Sequence, residues 1–424
     1  MSKEYLTEQE AKDLVEQYVQ TECPPITTQE ILNSGEIPML KSFVVRHGKV
    51  SDCIFGGKGD FVIPAEEEEN YRNQLNGLSV NYDFFVDTAD KDKPKFRISF
   101  ENPSLKTKDG ADFISMTRTG RISSHDKERG NIPFKDQILA INHEMMRRLV
   151  LPFLGSSQFD LGLPSNSVFI TAEKVTGMDY ENVIRAHMAK SGTSTSLYQS
   201  YVVRGERVFS GYSLPDDLFP NGPCPFIMDT PSTKSDLHDE TVAPEDLFDM
   251  RICNHQEYYG LRNNSIASFG AVQGFLMSRG IIIADTKTEH GYDKNGKIKS
   301  KDELYTMDSS RYWLFADYMH QLELYLTGRF NALINYLKKT QAGITEKDYM
   351  VNGSVVMVPK SYSKEFARGF SVADNKYTPE QREAIAVRYI MGLQHLTLER
   401  FEPDMRPWHE RVIEGFKRSI EQLF

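Results

Sequence analysis

Residues 281–311, IIIADTKTEHGYDKNGKIKSKDELYTMDSSR, carry carboxylates and cations whose types and spacing suit a metal-dependent phosphate site. Asp285, Lys287 and Glu289 fall on every second position, so a strand would turn all three to one face. Ile281–Ala284 is a short apolar, β-branched run, and Asn295-Gly296 is a strong hairpin signal. A two-residue turn there sets Lys294 opposite Lys297 and, in the same register, Glu289 opposite Asp302. Facing side chains lie ~5 Å apart at Cβ, and like charges in that position are destabilising. A divalent cation between them removes the conflict, and Mg²⁺ favours hard oxygen ligands completed by substrate phosphates. With Lys287 on the same face and Arg311 close behind, the chemistry expected is that of an ATP–Mg²⁺ site. Charged hairpins are more often plain solvated surface, so other segments must add weight.

Four other clusters could do chemistry. Gly48-Lys49-Val50 places a glycine and a lysine at a strand edge, a pairing suited to phosphate cover. Arg121-Ile-Ser123-Ser-His-Asp126 mixes a cation, hydroxyls and a carboxylate. Tyr201-Val-Val-Arg204-Gly, followed by Ser210-Gly211, could hold a phosphate by a guanidinium fork and a hydroxyl. Thr230-Pro-Ser-Thr-Lys234-Ser-Asp-Leu-His238-Asp239-Glu240 lies in a loop-rich stretch, where function often concentrates. GxxxxGK[ST], GxGxxG, HExxH and GxSxG are all absent, which argues against Walker-type, dinucleotide-binding, zincin and nucleophile-elbow chemistry.

The elements that must position these groups follow from hydrophobic period. Thr7–Glu10 is a capping box that opens a helix. Residues 40–63 and 80–100 alternate in short apolar bursts and read as an antiparallel sheet, with 65–70 and 90–95 as exposed loops. A helix is expected near 135–150, a strand at 196–205, mostly loop over 211–247, and a helix over 256–279 capped by Gly280. Beyond Trp313 the chain reads as helical, with Thr378-Pro379-Glu380-Gln381 opening one helix and Trp408, Val412, Phe416 and Ile420 striping the last. The class is α+β, with a boundary near residue 160 dividing an N-terminal sheet lobe (1–160) from a larger mixed lobe (161–424).

At 424 residues the chain has room for two or three domains, and its net charge of −10 argues against a general nucleic-acid binder. The cysteines are scattered without CxxC spacing and read as free thiols. The polar N-terminus and the lack of a long apolar run point to a cytoplasmic protein that does not enter a membrane.

In their order, GKVSD, RISSHD, YVVRGERVFSG, TPSTKSDLHDE, ADTKTEHG and DELYTMDSSRYW resemble the SAICAR synthetase (phosphoribosylaminoimidazole-succinocarboxamide synthase) family from about residue 45 to 313, with weaker echoes at SKEFARGF and AVRYIMGLQHLT. The resemblance implies an ATP-grasp-like, two-lobed fold. It implies a ligase that joins L-aspartate to carboxyaminoimidazole ribotide (CAIR) at the expense of ATP. By carry-over, Glu289 and Asp302 match metal and nucleotide carboxylates, and Lys49 and Lys234 match lysines near the ATP phosphates. Arg204, Ser210 and Arg311 match the groups on the ribotide phosphate. Lys287 lies beside the reacting carboxylate, Asp308 is the acidic residue of DSSR, and Ser123 and Asp239 fall in substrate-binding segments, with His238 beside Asp239. Three positions depart from the pattern: Ser51 stands for an expected Arg, Gly120 for an Asp, and Ser200 for a Glu four residues before the arginine.

A carboxylate does not react with an amine at neutral pH, whereas an acyl phosphate does. Such phosphoryl transfer asks for positioning and charge neutralisation, not for an enzyme nucleophile. The alternatives are another ATP-dependent small-molecule kinase on a similar scaffold and a catalytically silent nucleotide-binding regulator. A kinase would have no use for a ribotide phosphate pocket.

Overall fold

The computed structural model describes residues 4–21, 27–36, 43–48, 50–86, 94–102, 106–124, 127–234, 239–341, 343–370 and 376–423. Lys49, Asp126 and His238 lie outside them. The floor of the molecule is an antiparallel sheet in the order Pro223–Asp229, Thr176–His187, Ile281–Tyr292, Ile298–Lys301, with Ser232–Thr233 and Ser310–Leu314 pairing at its margins. Its even-numbered residues Met178, Tyr180 and Ile184 are buried in the main core with Phe269, Val272 and Leu276 of the helix His255–Met277. Asn182 Nδ2 donates to Ser265 Oγ of that helix at 2.8 Å, so the opposite face of the sheet is the open one.

A bulge then changes which residues face the opening. Ile281 and Ile283 are buried in the core, but the pairing with Ser310–Leu314 slips between Ile283 and Thr286. Beyond the slip Thr286 pairs with Ile184, and Asp285, Lys287 and Glu289 pair with Arg185, Val183 and Glu181 on the open face. Bulges re-aim side chains in this way beside active sites.

Above the floor stand two smaller antiparallel sheets. One runs Val44–His47, Ser51–Gly56, Phe113–Arg118, Phe169–Glu173; the other runs Lys58–Pro64, Pro94–Glu101, Ser79–Val86. Among the described residues the strands expected over 40–63 and 80–100 are present, but they divide between these two sheets rather than forming one. Two elements cross the expected boundary near residue 160: strand Phe169–Glu173 completes the upper sheet, and the last helix buries Val412, Ile413 and Phe416 against Phe43, Phe113 and Phe169. The helix Lys135–Val150 goes the other way, into the main core.

Both capping boxes form. Glu10 N donates to Thr7 Oγ1 while Thr7 N donates to Glu10 Oε2, and Thr378 and Gln381 close the reciprocal pair at the head of Pro379–Thr397. The helix over 256–279 appears as His255–Met277, followed by Gly280 at φ +69°.

Three local expectations differ. The Asn295-Gly296 turn has a three-residue loop rather than two. Asp293 N bonds Lys297 O, and the Asp293 carboxylate accepts the Asn295 and Lys297 amides at 2.9 Å. Only Gly296 has positive φ (+76°), whereas a two-residue type I′ turn needs it at both positions. The aspartate side chain has lengthened the turn, so the register slips by one and Glu289 faces Lys301, not Asp302. Residues 196–205 are not a strand. Arg204 N bonds Gln199 O, five residues back, in a π-helical turn that buries Leu197, Tyr198 and Tyr201 on one side. Their spacing is helical, against the strand-like signal of the β-branched Val202-Val203 pair. Finally, residues 65–70 are not loop but lead into the helix Glu68–Gln74. Tyr71 is buried there, and the acidic run sits where the helix dipole favours it. The stretch 211–247 is mostly irregular as expected, but it contributes Pro223–Asp229 to the floor.

The core also contains a titration signal. His143 is buried, donates from Nε2 to Gln158 Oε1 at 3.0 Å, and accepts the Leu304 amide at Nδ1. Burial, seconded by Arg118, pushes its pKa down to about 3. The unfolded chain takes up a proton near pH 6.5 and the folded chain does not, so His143 costs stability as pH falls below 6.5. Relative to wild type, His143→Gln should remove about 1.4 kcal/mol per pH unit of that loss between pH 6 and 5. Denaturant titrations of both proteins across that range give the two slopes, and equal slopes would refute it.

Candidate active site

The open face of the floor presents two facing rows. Glu181 lies opposite Glu289, Val183 opposite Lys287, and Arg185 opposite Asp285. The like-charged facing pair expected on this strand therefore exists, but on the other side: Glu289's acidic neighbour is Glu181. Lys287 relieves the clash, with Nζ 2.6 Å from Glu181 Oε1 and 3.6 Å from Glu289 Oε1. Burial works against the Lys287 ammonium, yet Glu181 and Glu289 outweigh it and raise its pKa. Lys287 is thus a fixed cation at neutral pH, unfit as a general base.

Around Glu289 gather Lys234, in direct ion contact, and Lys301 at 3.6 Å. Burial opposes its charge, but these lysines and Lys287 hold the carboxyl down at about 2. Asp302 reaches the same place by a different route from the one expected. It follows strand Ile298–Lys301 with φ +63°, a left-handed conformation that turns the chain back after the register slip. It is accessible to solvent yet walled by protein. Its surroundings and then the Glu289 charge raise its carboxyl, while Lys287, Lys234 and Lys301 pull the other way. Two carboxylates that share a field, one charged and one driven toward its protonated form, are a donor set that a hard cation suits. Among the described residues no three His, Cys, Asp or Glu side chains gather around one metal position, so such a cation would need oxygens from its ligand. Asp239 is close enough for its charge to raise Glu181, which sets Asp239 toward this end of the site.

At the other end two arginines share one acid. Arg185 Nη1 lies 3.2 Å from Asp285 Oδ2, and Arg311 Nη1 is in direct contact with the same oxygen. Thr230 Oγ1 accepts from Arg185 Nε at 3.0 Å, and the Phe209 ring lies 5.8 Å beneath the guanidinium. Glu365 stands 3.7 Å from Arg311 and is held by the Trp313 indole N–H at 2.8 Å. Arg368 is exposed at the rim near Arg311 and Asp285, and desolvation and then the Arg311 charge lower its pKa.

The expected trio Arg204, Ser210 and Arg311 does not gather directly. Arg204 is exposed and engages Glu206 at 2.8 Å and the Ser194 carbonyl. The helical turn carries it out of the floor, which is the physical reason for the difference. Ser210 and Gly211, both at positive φ, form the tight turn between Val208–Phe209 and Tyr212–Ser213; Ser210 Oγ is buried and has no hydrogen-bond partner among the described residues. The arginine beside Arg311 is Arg185. A sequence signal for it was present in Glu181-Asn-Val-Ile-Arg185, where a glutamate stands four residues before the arginine. The apparent departure at Ser200 belongs to the wrong segment. That at Gly120 has a steric reason, since a Cβ there would meet the Ile132 carbonyl oxygen at 2.8 Å.

Asp308 lies deeper than a reacting group needs to. Lys135 Nζ holds Oδ2 at 2.9 Å and the Tyr389 hydroxyl donates to Oδ1 at 2.5 Å. Burial would raise its pKa, but Lys135 and then Lys364 keep it lowered. Lys364 Nζ also donates to Ser123 Oγ at 3.2 Å, which ties the upper lobe to this network. Lys135, Lys364, Glu181 and Arg185 are not among the sequence candidates, because their neighbours are distant in the chain.

Fold and site together define the class: an α+β protein of apposed antiparallel layers whose floor carries an ordered row of paired carboxylates, lysines and arginines. The SAICAR synthetase family model matches residues 104–325. The chain is 27% identical over 331 residues to the chloroplastic phosphoribosylaminoimidazole-succinocarboxamide synthase of Arabidopsis thaliana, covering 74% of this chain and 71% of that one. It is 30% identical over 217 residues to the same-named enzyme of Legionella pneumophila strain Paris, covering 51% and 68%. The SAICAR synthase of Saccharomyces cerevisiae, solved with SAICAR, shares the fold at TM-score 0.53 and 18% identity, covering 85% of this chain and 97% of that one. The chain belongs to the SAICAR synthetase family.

Proposed function

We propose that this protein is the ATP-dependent ligase that joins L-aspartate to the carboxylate of CAIR, giving SAICAR, ADP and phosphate. The observation that carries this reading is the charge order along the two facing strands, from the Glu289–Asp302–Lys234 end through Lys287 to the Arg185–Asp285–Arg311 end. A nucleotide polyphosphate suits the first end. The ribotide phosphate suits the second, where two guanidinium groups now share one carboxylate oxygen and would turn to an arriving phosphate. The reacting carboxylate then lies between, beside Lys287.

The γ-phosphoryl group passes to a CAIR carboxylate oxygen as ADP leaves. The aspartate amine, having lost a proton, attacks the acyl carbon; the carbon–oxygen bond breaks and phosphate departs. Lys287 remains protonated and steadies the negative charge on the carboxylate and phosphoryl oxygens. Glu289 and Asp302 would hold Mg²⁺, which when bound neutralises charge on the phosphates. Lys234 then lies where it would meet the nucleotide phosphates. Lys49, Ser123 and Asp239 are assigned to nucleotide and substrate contacts, as their segments suggest, and Asp308 to fixing Lys135 and Lys364. Residues 1–160 mainly cover the nucleotide and 161–424 mainly form the floor.

The described cysteines Cys53, Cys224 and Cys253 are free thiols, which supports a reducing, cytoplasmic setting. Among the described residues no helix is long and apolar enough to cross a membrane. An ADP-release assay with CAIR, aspartate and Mg-ATP should show turnover that stops when any one component is omitted. ADP release that persists without aspartate or CAIR would refute the ligase.

A further inference from the structure

Among the described residues, Arg118 is a buried arginine with no ion-pair partner. It is 7% exposed, and among the described residues no hydrogen bond or ion pair to its guanidinium forms. Burial lowers its pKa, and the charges that oppose this come first from Glu303, then Asp302 and Glu144. None of the three is within ion-pair distance. A charged group left in that state is costly unless something anionic reaches it.

Its position says what that is. Arg118 ends strand Phe113–Arg118 and pairs directly with Ser51, so the two side chains leave the same face of the upper sheet. Farther along that face, Cys53 pairs with Met116. The Cys53 thiol lies within the field of Asp302, so this face looks down on the carboxylate end of the floor. Arg118 lines a cavity with His143, whose Nδ1 accepts the Leu304 amide two residues beyond Asp302, so the guanidinium lies near the carboxylate end of the floor. A phosphate held by a cation at Asp302 would stand within its field. Ser51 is also the position where the family pattern expects an arginine.

Resting on the ligase reading, we propose that Arg118 binds the nucleotide polyphosphate from the upper lobe, supplying from the neighbouring strand the guanidinium that Ser51 lacks. Cross-strand neighbours sit ~5 Å apart at Cβ, a separation that an arginine's long stem spans. Arg118 thereby becomes a positioning residue for phosphoryl transfer that this chain carries on a different strand.

The test is Mg-ADP binding by calorimetry, which does not depend on turnover. Arg118→Met keeps the stem and removes the charge; its Kd for Mg-ADP should rise about tenfold or more, with CAIR affinity unchanged. Adding Ser51→Arg to that variant should recover most of the lost affinity. Arg118→Lys, the gentler change should the Met variant fail to fold, should weaken Mg-ADP severalfold at unchanged Tm because the fork is lost. Unchanged Mg-ADP affinity in Arg118→Met or Arg118→Lys would overturn the proposal. So would a lower Tm in Arg118→Met with no recovery from Ser51→Arg. A wild-type protein that binds Mg-ADP through Arg118 yet makes no SAICAR would refute the ligase reading alone.

Discussion

Asp302→Asn should lower turnover about a thousandfold, roughly 4 kcal/mol of transition-state stabilisation, with the fold intact. Asparagine has the same size, and the raised carboxyl of Asp302 shows that its charge is no asset to the folded state by itself. The charge is needed when Mg²⁺ and phosphates arrive. CAIR affinity should stay within about threefold of wild type, because the ribotide phosphate is assigned to the arginine end. Single-turnover kinetics and CAIR titration separate the two. Full turnover in the variant would remove Asp302 from the site.

Arg185→Met should act in the opposite sense. It removes one of the two guanidinium groups on Asp285, so CAIR affinity should fall ten- to a hundredfold while Mg-ATP affinity holds. Arg204→Met is the informative control, since Arg204 is exposed and already satisfied by Glu206. Its CAIR affinity should barely change. Should Arg204→Met weaken CAIR and Arg185→Met leave it alone, the arginine end has been assigned to the wrong segment.

The difference between those two arginines marks what the sequence could and could not show. Local chemistry was legible: capping boxes, the helix ending at Gly280, and the period-two row Asp285, Lys287, Glu289. Each depends on neighbours within a few residues. The hairpin register was not, because the Asp293 side chain chose the turn length, and one residue of slip exchanges Asp302 for Lys301 opposite Glu289. Asp302 follows strand Ile298–Lys301 in a left-handed backbone conformation and lies within the field of Glu289, which no pattern announces. The strand expected around Arg204 rests on the β-branched Val202-Val203 pair, whereas Leu197, Tyr198 and Tyr201 have helical spacing. The network around Asp308 draws on Lys135, Lys364 and Tyr389, which only tertiary packing brings together.

The acyl phosphate can be followed through one oxygen atom. CAIR labelled with ¹⁸O in its carboxylate, incubated with aspartate, Mg-ATP and the wild-type protein, should yield SAICAR and inorganic phosphate carrying one labelled oxygen per turnover from fully labelled substrate. The label passes because that oxygen joins the γ-phosphoryl group and leaves with it when the amine attacks. Phosphate free of label, formed in step with SAICAR, would contradict the acyl phosphate and the site order from Glu289 to Arg311 that is built around it.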